Sequence, residues 1–329
     1  MVEAVVAAAE PAQATRAAEA HAGDAAPATT PAAASTTAAS SADSVTRTEA
    51  WIKHDNREFY TVTYESVVQP PKATVTLIHG IGEHIDRYDY LMRQFAQAGI
   101  RIHGYDQRGF GKTGRRGGTL GDNEGFTKVL NDIEAANKRT RVDGVPHFLY
   151  GHSMGGMIVL NYGALRADKD PLAGIICTAP AIEVHKKGRP HPVLRSVVSL
   201  VASAVPTVPL QLGLLHEDLT RSEDVIQAYK ASEYNIGFAS IRTLKSMLNN
   251  GNALLKSRYA NFKVPLLLAH GTKDEITCPD ASQAFFDKLS DDLDKTLVLY
   301  EGHLHEIHNE PEKDDMINTG IEWVLKRAV

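Results

Sequence analysis

Short apolar runs alternating with helix-like stretches limit the folds open to this chain more than any other feature. The runs span residues 74–78, 100–105, 147–150, 174–178, 264–269 and 296–300. They are of strand length and mostly aliphatic or aromatic, as strands buried on both faces are. Between most of them lie segments with helical spacing, such as 88–97 and 125–138. Strand and helix in alternation give a mainly parallel central sheet with helices on both faces, an α/β architecture. An aromatic, β-branched alternation at 58–65 adds a strand before the first run. The closing helix, 311–327, gathers Met316, Ile317, Gly320, Ile321, Val324 and Leu325 on one face.

At 329 residues the chain can hold one large domain or two, and 43% hydrophobic content is ample for a packed core. The net charge is −5 and no basic face stands out, which argues against a nucleic-acid partner. Two cysteines, Cys177 and Cys278, make no disulfide framework and point to a reducing, intracellular and cytoplasmic setting. No stretch approaches the roughly 18 apolar residues of a membrane span. Residues 1–48 differ from the rest. They are dominated by Ala, Thr, Ser and Pro, and the first aromatic residue is Trp51. Such a segment buries too little apolar surface to offset its ordering entropy, so a disordered tail is expected over 1–48 and a folded domain over 49–329. Glu3 and Glu10 flank a short Val/Ala run, unlike a signal peptide. Arg16 is the only Lys or Arg before Arg47, unlike a mitochondrial presequence.

The alternation breaks between about 183 and 262. This insertion has no clear strand, and its apolar stretches at 191–206 and 209–215 read as helices. It follows a strand end, where βα loops build sites in open sheets. A helical cap there excludes water and supplies an apolar wall. Plain packing against the body of the domain is the competing reading.

The chemistry centres on Gly151-His152-Ser153-Met154-Gly155, between an apolar run and a helix-like stretch. In that context G-x-S-x-G holds a serine at the tip of a sharp turn, exposed as a nucleophile. Alone the motif is weak, arising by chance in about one chain in ten of this length. A serine also needs a base, and the base an orienting carboxylate, in the chain order Ser, Asp or Glu, His. Asp274 follows the 264–269 run and is the expected acid, with Glu275 and Asp280 as weaker rivals further into the loop. His303, His305 and His308 all follow the 296–300 run, and position alone does not choose among them. An oxyanion hole needs two backbone N–H groups. Met154, after the serine, supplies one; Ile81, in the Gly-flanked loop after residue 78, supplies the other.

His79-Gly80-Ile81-Gly82-Glu83-His84 with Arg87-Tyr88, then Asp106-Gln107-Arg108-Gly109-Phe110-Gly111, then Gly151-His152-Ser153-Met154-Gly155-Gly156, together resemble the monoacylglycerol lipase family of α/β-hydrolases. That group also includes serine aminopeptidase-like hydrolases and lysophospholipases. The likeness runs from about Trp51 to the C-terminus. It implies an α/β-hydrolase fold with a cap, a triad of Ser153, Asp274 and His305, oxyanion donors Ile81 and Met154, and no cofactor or metal. It implies cleavage of monoacylglycerol to glycerol and fatty acid through an acyl-enzyme. A lysophospholipase or general carboxylesterase is the alternative, and a lipid-binding scaffold without turnover the remote one. Peripheral contact with a membrane or lipid droplet through the 193–215 segment is a further expectation. The chain departs from the family pattern in the cap, where Ala231-Ser232-Glu233-Tyr234 stands in place of a frequent Asp-Pro-Leu. Cys278 lies near Asp274, as cysteines do in some members.

Weaker signals carry less. Gly109-Phe110-Gly111-Lys112-Thr113 lacks the first glycine of a phosphate loop, since Asp106 stands there. His84 and Asp89 form an H-x4-D resembling an acyltransferase motif, inside the stretch the lipase likeness already explains. His79, His84, His103, His147 and His152 have no zinc-like spacing.

Overall fold

The computed structural model describes residues 44–185 and 204–328. Eight strands form the main sheet: β1 (Val45–His54), β2 (Arg57–Ser66), β3 (Ala73–Ile78), β4 (Ile100–Tyr105), β5 (His147–His152), β6 (Gly174–Thr178), β9 (Leu266–Gly271) and β10 (Lys295–Tyr300). Their order is β1-β2-β4-β3-β5-β6-β9-β10. β1 pairs antiparallel with β2, and β2 antiparallel with β4; all other pairs are parallel. Every residue of β3, β5, β6 and β9 is buried, because helices cover both faces.

One face carries α1 (Asp89–Gln97) and α8 (Lys313–Arg327), whose Met92, Phe95, Met316, Ile317 and Val324 join Val75, Leu77, Ile102, Tyr150 and Ile176 in one core. The other carries α3 (Phe126–Thr140), α4 (Met154–Leu165) and α7 (Pro279–Lys288), which bury Ile133, Ile158 and Phe285 with Leu149, Ile175 and Leu268. A short helix, α2 (Gly111–Arg116), follows β4.

The domain begins earlier than composition suggests. Residues 45–48 belong to β1, not to the tail; residues 1–43 lie outside the described residues. Asp55 and Asn56, both at positive φ (46° and 58°), make a two-residue turn that sets β1 against β2 in register from His54↔Arg57 to Val45↔Ser66. The polar start of β1 is an edge strand with one half-wet face, so its apolar content is low.

The insertion also differs from expectation. It contains two short strands, β7 (Pro209–Gln211) and β8 (Phe238–Ser240), paired antiparallel. Residues 209–215 are therefore strand and irregular loop, not helix. Three-residue strands are too short to show a period in sequence. Residues 186–203, with most of the 191–206 stretch, lie outside the described residues. Two helices follow: α5 (Glu223–Ala231), and α6 (Ile241–Lys256), capped by the Ser240 hydroxyl accepting from Thr243 N–H. α6 packs on the body, with Leu254 in the core beside Ile158 and Phe262 and Gly251 against the carbonyls of Ala181 and Ile182. α6 thus packs on the body, while Leu214, Leu219 and Tyr229 line the pocket described next.

Candidate active site

β5 runs straight into Ser153, and Met154 opens α4. Between them Ser153 adopts φ 56°, ψ −118°, a backbone conformation that costs a non-glycine residue about 1–3 kcal/mol. The surroundings hold it there. Ser153 N–H donates to Thr178 O (3.0 Å), and its carbonyl accepts from Met157 and Ala181 N–H (3.0 and 2.9 Å). The flanking glycines allow the close approach: a side chain on Gly155 would strike the carbonyls of Ile78 and His79, and one on Gly151 the carbonyl of Gly155.

Ser153 Oγ lies 2.9 Å from His305 Nε2, and His305 Nδ1 lies 2.7 Å from Asp274 Oδ2. All three are buried. The structure therefore brings Asp274 and His305 to Ser153 from the loops after β9 and β10. His303 stacks on Tyr300 and faces Glu312 instead, at 3.5 Å. His308 stacks on Tyr88, ring centroids 4.8 Å apart. Asp280 sits in the first turn of α7. Cys278, just before that helix, is buried.

Asp274 is held by more groups than sequence reading named. Its Oδ1 accepts from Ile276 and Thr277 N–H (2.8 and 2.9 Å), and its Oδ2 from the Thr277 hydroxyl (2.7 Å). A second imidazole, His270, donates from Nε2 to Oδ2 (3.0 Å), and its Nδ1 lies 2.8 Å from the Ser282 hydroxyl. Burial alone would raise the Asp274 pKa. The His305 charge and the bonds from both imidazoles outweigh it and hold the acid well below the usual carboxylate range. Burial likewise opposes a charged His305, but the Asp274 charge and hydrogen bond leave its pKa above the ordinary imidazole value. Its neighbours differ: burial pushes His308 down to about 4 and His152 well below the usual value. Of these three clustered rings, His305 is the one hydrogen-bonded to a carboxylate.

Beside the triad lies a pocket lined by Ile81, Leu214, Leu219, Tyr229 and Ile276 along with Glu83, Arg87, Glu306, Ser153 and His305. Its polar wall is an ion network. Arg87 makes a two-pronged bond to Glu306 (2.8 and 2.7 Å) and a further bond to Glu83, and its guanidinium lies over the Tyr229 ring at 4.7 Å. Glu83 also accepts from Gly80 N–H (2.5 Å) and the Tyr88 hydroxyl (2.7 Å). Glu306 N–H donates to Leu219 O (2.7 Å), joining the histidine loop to the insertion. Arg87 and Glu306 each neighbour a quoted motif, yet nothing in their spacing marks them as partners across more than two hundred residues.

Met154, as the first residue of α4, presents an N–H without an intrahelical acceptor. Ile81 N–H meets no acceptor among the described residues. Among those residues, no group of three His, Cys, Asp or Glu side chains is placed to hold a metal ion. His103 and His147 are hydrogen-bonded to Thr63 and Thr74, and His84 to Ser232. A serine flanked by this base and acid can attack an acyl carbon and release its leaving group by proton return.

Comparison with known proteins agrees. The family model for serine aminopeptidase, S33, matches residues 69–312. A putative monoglyceride lipase of Schizosaccharomyces pombe is 32% identical over 275 residues, covering 82% of this chain and 72% of that protein. An abhydrolase domain-containing protein of Dictyostelium discoideum is 36% identical over 257 residues, which is 78% of this chain but only 27% of that longer protein. Among solved structures, a soluble variant of monoglyceride lipase from Saccharomyces cerevisiae, in complex with a substrate analog, matches with a TM-score of 0.76 at 26% identity, covering 85% of this chain and 95% of that one. The sheet order, the strained serine between β5 and α4 and these matches lead to one placement: the chain belongs to the serine aminopeptidase S33 family, within the monoacylglycerol lipase group of the α/β-hydrolases.

Proposed function

We propose that the protein hydrolyses monoacylglycerols, with Ser153 as nucleophile, His305 as general base and acid, Asp274 as orienting carboxylate, and Ile81 and Met154 N–H as oxyanion donors. His305 Nε2 takes the Ser153 proton as Oγ attacks the ester carbonyl. The two N–H groups hold the tetrahedral oxyanion. His305 returns the proton to the glycerol oxygen as that bond breaks. Water, activated by the same imidazole, then releases the fatty acid.

The observation that carries the substrate is the division of the cavity wall. Leu214, Leu219, Ile276 and Ile81 form an apolar side for an acyl chain, each buried methylene adding about 0.8 kcal/mol. The polar side has two carboxylates and one guanidinium, and that guanidinium is engaged by both. A neutral glycerol finds acceptors there. A phosphate headgroup meets net negative charge and an arginine already bonded to two carboxylates.

The test is fatty-acid release from mono-, di- and triacylglycerols, lysophospholipid and short p-nitrophenyl esters, with Ser153→Ala as control. Long-chain monoacylglycerol is expected to lead. Lysophospholipid turned over at least as fast would overturn the substrate and keep the triad. The same reading has the enzyme meet its substrate at a membrane or droplet surface, and Val208 and Leu215, exposed on the insertion, support it. Liposome flotation is expected to weaken in a Val208→Asp/Leu215→Asp protein; equal flotation refutes a role for that surface.

A further inference from the structure

The oxyanion loop is held by several hydrogen bonds, and one of them fixes a histidine tautomer. The His79 ring is fully buried between β3 and the loop after β4. Gln107 N–H donates to His79 Nε2 (2.9 Å), so Nε2 is the acceptor and Nδ1 carries the proton. That Nδ1–H donates to the carbonyl of the next residue, Gly80 (2.7 Å). Burial pushes the His79 pKa below the ordinary value, against the opposing pull of Glu83, which keeps the ring neutral and the tautomer single.

The Gly80 carbonyl and the Ile81 N–H belong to one trans peptide unit and point in opposite directions. A donor fixed on the carbonyl therefore aims the N–H, and it polarises it as well. Neighbouring peptide units are held too. Gly80 N–H donates to Glu83, the Gln107 side-chain amide donates to His79 O (2.7 Å), and Ile236 N–H from the insertion donates to Gly82 O (2.8 Å).

We propose that His79 is a positioning residue that aims and polarises the Ile81 N–H for the oxyanion, with Gln107 selecting its tautomer. The inference rests on the reading of Ile81 as an oxyanion donor. It concerns the chemical step, so it holds for any ester and predicts no effect on ground-state binding.

The experiment compares His79→Ala, His79→Asn and His79→Gln with the native protein on a short p-nitrophenyl ester. The Asn amide nitrogen can stand where Nδ1 stands; the Gln amide reaches towards Nε2. Fluorophosphonate titration sets the count of competent serines, so misfolded protein does not enter kcat. Expected are a kcat loss of about 10–100-fold in His79→Ala, KM within about threefold, and a matching rise in the inhibition constant of an alkylboronic acid, which forms a tetrahedral adduct on Ser153. His79→Asn is expected to recover part of the loss and His79→Gln none. If His79→Ala does not fold, the Asn and Gln pair decides alone. Equal kcat per titrated serine in Asn and Gln, or a loss confined to KM, overturns the proposal. Ser153→Ala separates the two levels: full loss there beside an unaffected His79 series defeats this inference only, whereas retained turnover defeats the functional reading beneath it.

Discussion

The body of the domain and its insertion solve different problems with the same chain. In the body, β3, β5, β6 and β9 are buried along their whole length, and the serine sits in a strained turn held by backbone bonds on three sides. In the insertion, β7 and β8 have three residues each and Leu215 is 62% exposed; α6 packs on the body through Leu254, and the stretch before it meets the oxyanion loop through polar bonds such as Ile236 N–H to Gly82 O. Geometry that a reaction requires is placed where packing over-determines it; surface that only has to fit a chain is placed where little else depends on it.

The largest expected difference lies on the body side. Ser153→Ala removes the nucleophile, and kcat should fall about a millionfold, by analogy with other serine hydrolases; residual hydrolysis within a hundredfold of native sinks the mechanism. Asp274→Asn should cost about 10⁴-fold in kcat. It also tests electrostatics. His305 must be neutral to act as a base, and its raised pKa places the acid limb of kcat/KM above the ordinary imidazole value, with rate lost as pH falls through it. Without the Asp274 charge that limb should move to lower pH; an unmoved limb means Asp274 does not set it.

At the seam between the regions, Glu306→Gln deprives buried Arg87 of its two-pronged partner. A loss of about 3–5 kcal/mol is expected in denaturant unfolding at pH 7. Arg87 holds the Glu306 carboxylate at about 2 despite burial. Because this folded-state value is depressed, its stabilisation is complete above the unfolded carboxylate range and fades as pH falls towards 2. The gap between native and Glu306→Gln should narrow along that path; a constant gap breaks the account. The smallest effect belongs to the insertion. Leu219→Ala should reduce the preference for long over short esters by about 5–30-fold, the worth of a few methylenes, with short-ester kcat within twofold. A kcat loss on short esters equal to that on long ones would erase the distinction between the regions.

The same contrast explains what could be read from the chain. Strands buried on both faces announce themselves as apolar runs, and all six runs are strands of the main sheet. Ser153, Asp274 and the three candidate histidines stand at ends of those runs, so topology alone brings them to one edge. Family likeness chooses His305, because the path of the loop between β10 and α8 decides which ring meets the serine. Other features left no local mark. The start of β1 is an edge strand of Thr, Arg and Glu. β7 and β8 are too short for a period. Arg87 with Glu306, and His270 with Ser282 behind Asp274, are partners made by the fold. His79 was visible only as the first letter of a motif; its tautomer depends on Gln107, brought close by the neighbouring strand.

β6 and β9 are hydrogen-bonded neighbours, so the chain leaves the sheet and rejoins it side by side. A parallel pair needs a crossover, usually a helix, and α6, packed on the body, serves as one. Residues between β6 and α6 are then an excursion whose two ends are already pinned together. Lengthening such an excursion is cheap, about 0.6 kcal/mol for each doubling of a flexible loop. Descendants of this chain can vary the length of that excursion while Ala181 and Ile236 keep their bonds to Ser153 and Gly82, which makes the stretch after β6 the natural place for new substrate ranges to arise.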